Sequence, residues 1–427
     1  MHREVGPETQ PEPTAATPGE MRSVVALLSS VFMSSTAMAL LSTVLGKLVF
    51  DITGSALALG LLGLAEFAPA ALLVFVTGPL ADRIDRRRMA AVALGLEALV
   101  LGGLTVYVST DPTSTLPLFL LVIAYGTARA FATPATRSLP ADTVVPSRLP
   151  WLTARQAATW QGALVLGPVL GGFLYVVAPW VPFAVAAGLV AIGALTVLTV
   201  RVLPFERTAV DDGDERSGMH TAMEGLRFVR SRPILLGAIS LDLFAVLFGG
   251  AVALLPAIAE DRLGVGAVGL GWLRAATGIG AGAVALFLTV KPVSRHIGRT
   301  LLACVALFGI GTIALGVTTS FAIAFVSLLV LSGADAVSVF VRSTLVPLIT
   351  PADKRGRVLA VEAVFIGASN ELGAFESGVV GQLLGPATAI VLGGVATLAV
   401  AALWWGWFPD LREVDAFPSA GDHVVTP

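Results

Sequence analysis

Apolar residues fall in about twelve long windows along the chain, near 23–47, 55–80, 88–109, 116–139, 150–177, 180–203, 233–259, 266–290, 299–318, 320–349, 357–382 and 386–408, each closed by charged residues, proline or glycine. A helix needs about 20 residues to cross about 30 Å of hydrocarbon, so this pattern predicts twelve membrane-spanning helices. An even number of spans places both chain ends on one side. Arg83, Arg86, Arg87, Arg88, Arg148, Arg201, Arg227, Arg230, Lys291, Arg295, Arg299, Lys354 and Arg355 lie at alternate connections, whereas the opposite loops hold little beyond Lys47 and Arg262. The basic side, with both tails, is therefore expected in the cytoplasm.

The longest polar interruption, residues 204–232, divides the spans into an N-terminal half (22–203) and a C-terminal half (233–408). Within it Met219, Met223, Leu226 and Phe228/Val229 recur at helical spacing against a basic face, which predicts a short amphipathic helix on the inner leaflet; a simple tether is the alternative. Residues 1–21 are polar, proline-rich and acidic, with neither a basic start nor a cleavage site, and are expected to form a disordered cytoplasmic tail. Residues 409–427 form the matching C-terminal tail.

Composition agrees. With 56% apolar and 13% charged residues over 427 positions, against about 25% charged in an average globular domain, the chain must use lipid as its solvent. It is expected to be an all-α polytopic membrane protein. The one cysteine, Cys304, excludes an internal disulfide, and the four histidines fall in tails or loops, so no metal site, thiol nucleophile or catalytic constellation is expected. The run Gly264-Val265-Gly266-Ala267-Val268-Gly269 has dinucleotide-type spacing but lies between membrane helices with no strand before it. No Walker A sequence is present, and no cofactor or nucleic-acid partner is expected.

Three motifs carry a resemblance. The first, Gly78-Pro79-Leu80-Ala81-Asp82-Arg83-Ile84-Asp85-Arg86-Arg87-Arg88, joins the second and third spans. It resembles the loop signature of the major facilitator superfamily, with Asp85 where that family has glycine. The resemblance implies a transporter of two six-helix pseudo-repeat halves, in which Asp82 faces Arg357 at the start of the eleventh span and acts as a latch between halves. Positive-inside topology alone accounts for the arginines but not for Asp82. The second, Gly167-Pro168-Val169-Leu170-Gly171-Gly172 after Gly162 in the fifth span, is similar to the signature of drug:proton antiporters and implies export; close helix packing is the competing reading. The third, from Glu224 to Ala276, resembles the third drug:proton antiporter group, the transmembrane secretion effector branch that includes enterobactin and macrolide exporters. In the fourth span Ile123 stands where the family carries an arginine, and Arg129 lies nearly two turns beyond.

An ionisable residue at the centre of a membrane helix costs roughly 2.5–3.5 kcal/mol by insertion scales, so each one needs a partner or a task. Glu66, Glu97, Arg129, Asp242, Arg274, Asp335 and Glu371 fall near mid-depth, and Arg342, Glu362 and Glu376 nearer the ends. Glu66, Asp242, Asp335 and Glu371 are the candidate proton carriers; Arg129 and Arg274 are candidate counter-charges or substrate anchors. A fixed ion pair with a neighbouring helix is the competing role for each. The expected function is proton-coupled export of drugs, macrolides or siderophore-like metabolites across a bacterial cytoplasmic membrane by a monomer. Its partners would be a small-molecule substrate, protons and the lipid bilayer. Import of a small metabolite, or a transporter-fold sensor without flux, are the alternatives.

Overall fold

Lipid offers a backbone no hydrogen-bond partner, so every apolar window closes its own bonds as a helix. The computed structural model describes residues 18–202 and 218–418, with all their side chains except those of residues 74, 75, 78, 79, 81–83 and 218–222. Among them are twelve helices long and apolar enough to cross a membrane, and no strand. The N-terminal half consists of α1 (Pro18–Thr53), α2 (Ala56–Arg83), α3 (Arg86–Val108), α4 (Leu116–Thr143), α5 (Leu149–Val177) and α6 (Val181–Leu198). A connecting helix follows, α7 (Gly218–Arg230). The seventh span is broken: α8 (Pro233–Phe248) passes through a 3-10 segment (Gly250–Leu254), the short α9 (Leu255–Ala257) and a π turn (Ile258–Arg262). It is followed by α10 (Gly266–Val290), α11 (Ile297–Val317), α12 (Phe321–Ile349), α13 (Ala352–Leu384), α14 (Pro386–Trp407) and the short α15 (Pro409–Glu413).

Two expected boundaries move. Helix α1 starts at Pro18, so residues 18–21 belong to the first span and not to a tail; Glu20 in its first turn meets Arg148 at 3.2 Å, where a carboxylate also gains from the helix dipole. Residues 409–418 likewise fold back, with Leu411 buried and Asp415 bonded to Arg295 and His296. Residues 1–17, 203–217 and 419–427 of the expected tails and loop lie outside the described residues. Asp85, in the place of the family's glycine, is the N-cap of α3: its carboxylate accepts from the backbone N–H groups of Arg87 and Arg88 at φ −59°, so no left-handed residue is needed. The sharp turns at the end remote from the termini do need one, and Gly54 (φ +59°) and Gly385 (φ +89°) supply it.

Within each half the helices pack as a bundle, α1 against α5 and α6, α3 against α4 and α6, α11 against α12 and α14. Between halves, α2 lies along α13 and α5 along α10. Small residues make these crossings possible. A side chain added at Gly60 would strike the backbone of Phe375 at 3.0 Å, and one at Gly172 would strike the carbonyl of Ala267 at 2.5 Å. The seam runs from the end remote from the termini to about mid-depth, where the Gln161 amide donates to the carbonyl of Gly278.

Candidate functional site

Below that seam the halves part around a cavity of about 580 Å3 lined from both sides, by Ser42 and Gly46 of α1, Glu66 and Phe67 of α2, Arg274 of α10, Asp335 of α12 and Glu371 of α13. The break in the seventh span lies against it, through Gly249 and Gly250. Irregular backbone at membrane depth is tolerated where it borders such a cavity. The space continues toward the end that carries the termini, past Thr77, Thr133, Pro134 and Arg137, for a further volume of about 620 Å3.

Four of the six ionisable candidates thus meet in one chamber. Arg274 reaches from the C-terminal half to donate to Ser42 Oγ at 2.8 Å, and its Nε is buried with no hydrogen-bond partner. Glu371 lies against the bare backbone of Gly63, one turn before Glu66, so that a side chain at Gly63 would meet Glu371 Oε2 at 2.8 Å. Glu66 and Glu371, from opposite halves, therefore share one stretch of the wall. Neither they nor Asp335 make an ion pair or hydrogen bond among the described residues.

Arg129 borders the lower space. Its guanidinium donates to the hydroxyl of Tyr125 at 3.3 Å and touches Met38 Sδ. It also lines a side pocket of about 370 Å3 inside the N-terminal half, with buried Glu97, Arg137 and Trp160. Gly126, one turn before Arg129, lets α4 press against the backbone of Glu66, which puts the arginine on the same side as the chamber.

Asp242 stands apart. Its carboxylate is 2.7 Å from Arg342 Nη2, and Glu362 lies 3.9 Å from the same guanidinium. All three are under a tenth exposed (6%, 3% and 8%). This is the fixed-pair arrangement, and it includes two residues that sequence reasoning placed near the span ends. An internal echo could have flagged Arg342: Arg137-Ser138 precedes Pro146 by the same spacing at which Arg342-Ser343 precedes Pro351.

The loop signature divides. Arg86 binds both oxygens of Asp142, at 3.2 and 3.1 Å, and Arg87 donates to the carbonyl of Val200. The side chains of Asp82 and Arg83, and Gly78, lie outside the described residues; Leu80 is half-buried against the core. Arg357, the expected partner of Asp82, is 2.7 Å from Glu224 of α7. In the fifth span Gly167 and Gly171 receive α1, while Gly172 and the carbonyl of Pro168 receive Ala267 and Gly271 of α10; Gly162 is in looser contact, 3.9 Å from Phe32. Polar contacts close the remote end: Lys47 of α1 meets Glu260 of the π turn at 3.0 Å and Asp51 one turn on, and Ser55 Oγ donates to Gln382 Oε1 at 2.8 Å. Among the described residues no group of three or more His, Cys, Asp or Glu side chains is placed to hold a metal ion.

A family model described as Major Facilitator Superfamily matches residues 27–299. The chain belongs to the major facilitator superfamily. Solved structures agree on the fold. A bacterial homologue of the human lysosomal transporter Spinster, in an inward-facing and occupied conformation, superposes with a TM-score of 0.72 at 16% identity over 92% of this chain and 97% of that one. A peptide transporter, POT, in complex with sulfate gives 0.68 at 13% over 92% and 96%. The nucleoside transporter NupG gives 0.66 at 14% over 92% and 99%. No curated protein matches the sequence. At these identities the solved structures speak for architecture alone, that of a multi-pass membrane protein.

Proposed function

We propose that this protein is a proton-coupled exporter of drugs, macrolides or siderophore-like metabolites, of the third drug:proton antiporter type, working by alternating access in a bacterial cytoplasmic membrane. The reading rests chiefly on one observation: Glu66, Asp335 and Glu371 line a chamber between the halves and none of them makes a direct ion pair among the described residues. Carboxyl groups without a direct ion pair at that depth are costly, so each needs a task. With the basic loops and both termini on the cytoplasmic side, a chamber sealed at the remote end and continuing toward the termini is an inward-open state. Rocking of the halves about the cavity would expose the same carboxyl groups to the other side. Each proton entering then contributes about 2.3 kcal/mol per 100 mV of membrane potential. The antiporter-type signature favours export over import, and its Gly172 and Pro168 lie on the seam with α10 that such rocking must open. In this reading Asp242, held by Arg342, is structural, and the monomer suffices because the chamber is built within one chain.

Proton release from everted vesicles tests this, with macrolides, lipophilic dyes and catecholate siderophores as probes. Release on addition of a compound, lost in Glu66→Gln, Asp335→Asn or Glu371→Gln, is the expected result. Release that persists undiminished in all three variants would remove these carboxyl groups from the coupling step.

A further inference from the structure

The connecting helix α7 meets the base of α13 through a row of charges that lies well away from the chamber. Glu224, Phe228 and Arg232 follow one another four residues apart, along α7 and just past its end. Glu224 is 2.7 Å from Arg357 of α13, and Gly225 lets α7 close onto the backbone of the same arginine. One turn away, Lys354 Nζ stands 4.8 Å from the centre of the Phe228 ring, and the Arg232 guanidinium stands 5.8 Å from it. The ring is held in place, packed against an apolar cluster of Val229, Leu235, Val346 and Val358. Two cations, one from α13 and one from the link between α7 and α8, therefore converge on one aromatic ring. The ring attracts both but neutralises neither. Neither makes an ion pair among the described residues. Glu224 is held by Arg357, and Asp353, the acid in the first turn of α13, is exposed and makes no ion pair among them either.

We infer that this cluster binds the headgroup phosphate of an anionic phospholipid, taken between Lys354 and Arg232. Like charges held this close repel each other, and a phosphodiester supplies the missing anion with oxygen acceptors for an ammonium and a guanidinium alike. Position favours a lipid over a soluble phosphate. Arg232 immediately precedes Pro233, the first residue of α8, and Lys354 lies in the first turn of α13, so both cations stand where membrane spans begin, at the level of the headgroups. Arg227 and Arg230, exposed on another side of α7, add to the local positive potential without touching the ring. A zwitterionic headgroup brings its own ammonium and suits two adjacent cations less well. A lipid seated here would bridge α7 and α13 beside the Glu224–Arg357 pair and fasten the connector to the C-terminal half.

The test uses the full-length protein in detergent, offered equal amounts of phosphatidylglycerol and phosphatidylcholine with the same acyl chains and read by native mass spectrometry. The first lipid bound should be phosphatidylglycerol. Arg232→Gln with Lys354→Gln should weaken its binding roughly tenfold in Kd. Arg227→Gln with Arg230→Gln removes the same charge from another side of α7 and should leave the preference largely intact. If the Arg232/Lys354 double variant does not fold, the two single variants serve, each with a smaller loss. Equal loss in both double variants would reduce the effect to diffuse surface charge and overturn the site, as would equal binding of the two lipids by the unsubstituted protein. Saturable binding of inorganic phosphate that displaces the lipid would give the site to a soluble anion and overturn it too. A preference that appears only after Asp211→Asn, Asp212→Asn, Asp214→Asn and Glu215→Gln would assign the two cations to the chain's own acidic run, again against the proposal. No flux is measured, so this site and the exporter reading stand or fall separately.

Discussion

Lys47 and Glu260 meet at 3.0 Å across the remote end of the two halves, one on the first span and one at the π turn that finishes the seventh. Lys47 is buried, and Asp51 one helical turn further on holds the same ammonium, itself accepting the Tyr175 hydroxyl at 2.8 Å. A polar clasp between halves therefore stands at the end opposite to the one where the loop signature implies a latch.

Loosening that clasp should shift the protein toward an opening at the remote end. Glu260 is half exposed, so its pair contributes modestly, about 1 kcal/mol or less, equivalent to a change of up to roughly fivefold in population. In Glu260→Gln, a cysteine introduced at Gly46 in a Cys304→Ala background should react faster with a membrane-impermeant maleimide than it does with Glu260 intact. An unchanged rate would mean that the small-residue seam alone keeps the end shut.

Locking the same end should stop turnover. Ser55, the N-cap of α2, is hydrogen-bonded to Gln382 of α13, so Ser55→Cys with Gln382→Cys should be joined by a short bis-methanethiosulfonate reagent. Vesicles carrying the joined pair should show no proton release with any substrate, and reduction should restore it. Full activity in the cross-linked form would show that this end need not open.

Arg342 should matter to the fold and Glu371 to the work. Removing the guanidinium in Arg342→Ala leaves two buried carboxylates without a partner, a loss of about 3–5 kcal/mol, read as a clear drop in Tm of the purified protein. Asp242→Asn should cost less, since Glu362 remains for the arginine. Glu371→Gln, which breaks no ion pair among the described residues, should keep its Tm and lose proton release. Reversal of this order would exchange the roles of the two sites.

The C-terminal segment has its own pH dependence. The backbone N–H of His296, followed by Arg295, holds the Asp415 carboxyl below the usual aspartate range. A carboxyl depressed in the folded state stabilises above its unfolded pKa and stops doing so as pH falls through the lower, folded value. Hydrogen exchange across residues 409–418 should therefore stay slow from neutral pH down to about 4 and quicken only below it, allowing for the intrinsic rate. Asp415→Asn should exchange fast throughout.

Several particulars show which parts of this protein could be read early. The twelve spans, their division at residues 204–232 and the depth of Glu66, Arg274, Asp335 and Glu371 follow from composition in windows of helix length. The cost of polar atoms in lipid is local and periodic. Asp85 was also within reach, because an aspartate before a basic run is an ordinary helix cap. The pairing of Arg357 with Glu224 was not legible, since nothing in their spacing brings the connecting helix onto the base of α13.

By itself, then, the sequence determined a membrane protein of two six-helix halves with ionisable groups at mid-depth, since hydropathy and span length act on each segment alone. Only the tertiary structure decided which of those groups are neutralised. Asp242 finds Arg342 and is settled, whereas Glu66 and Glu371 share the wall of a cavity that Arg274 also lines. The difference depends on helix rotation and on approaches of a few ångströms permitted by Gly60, Gly63 and Gly126. Those are properties of packed pairs of helices, and no window along a single chain contains them.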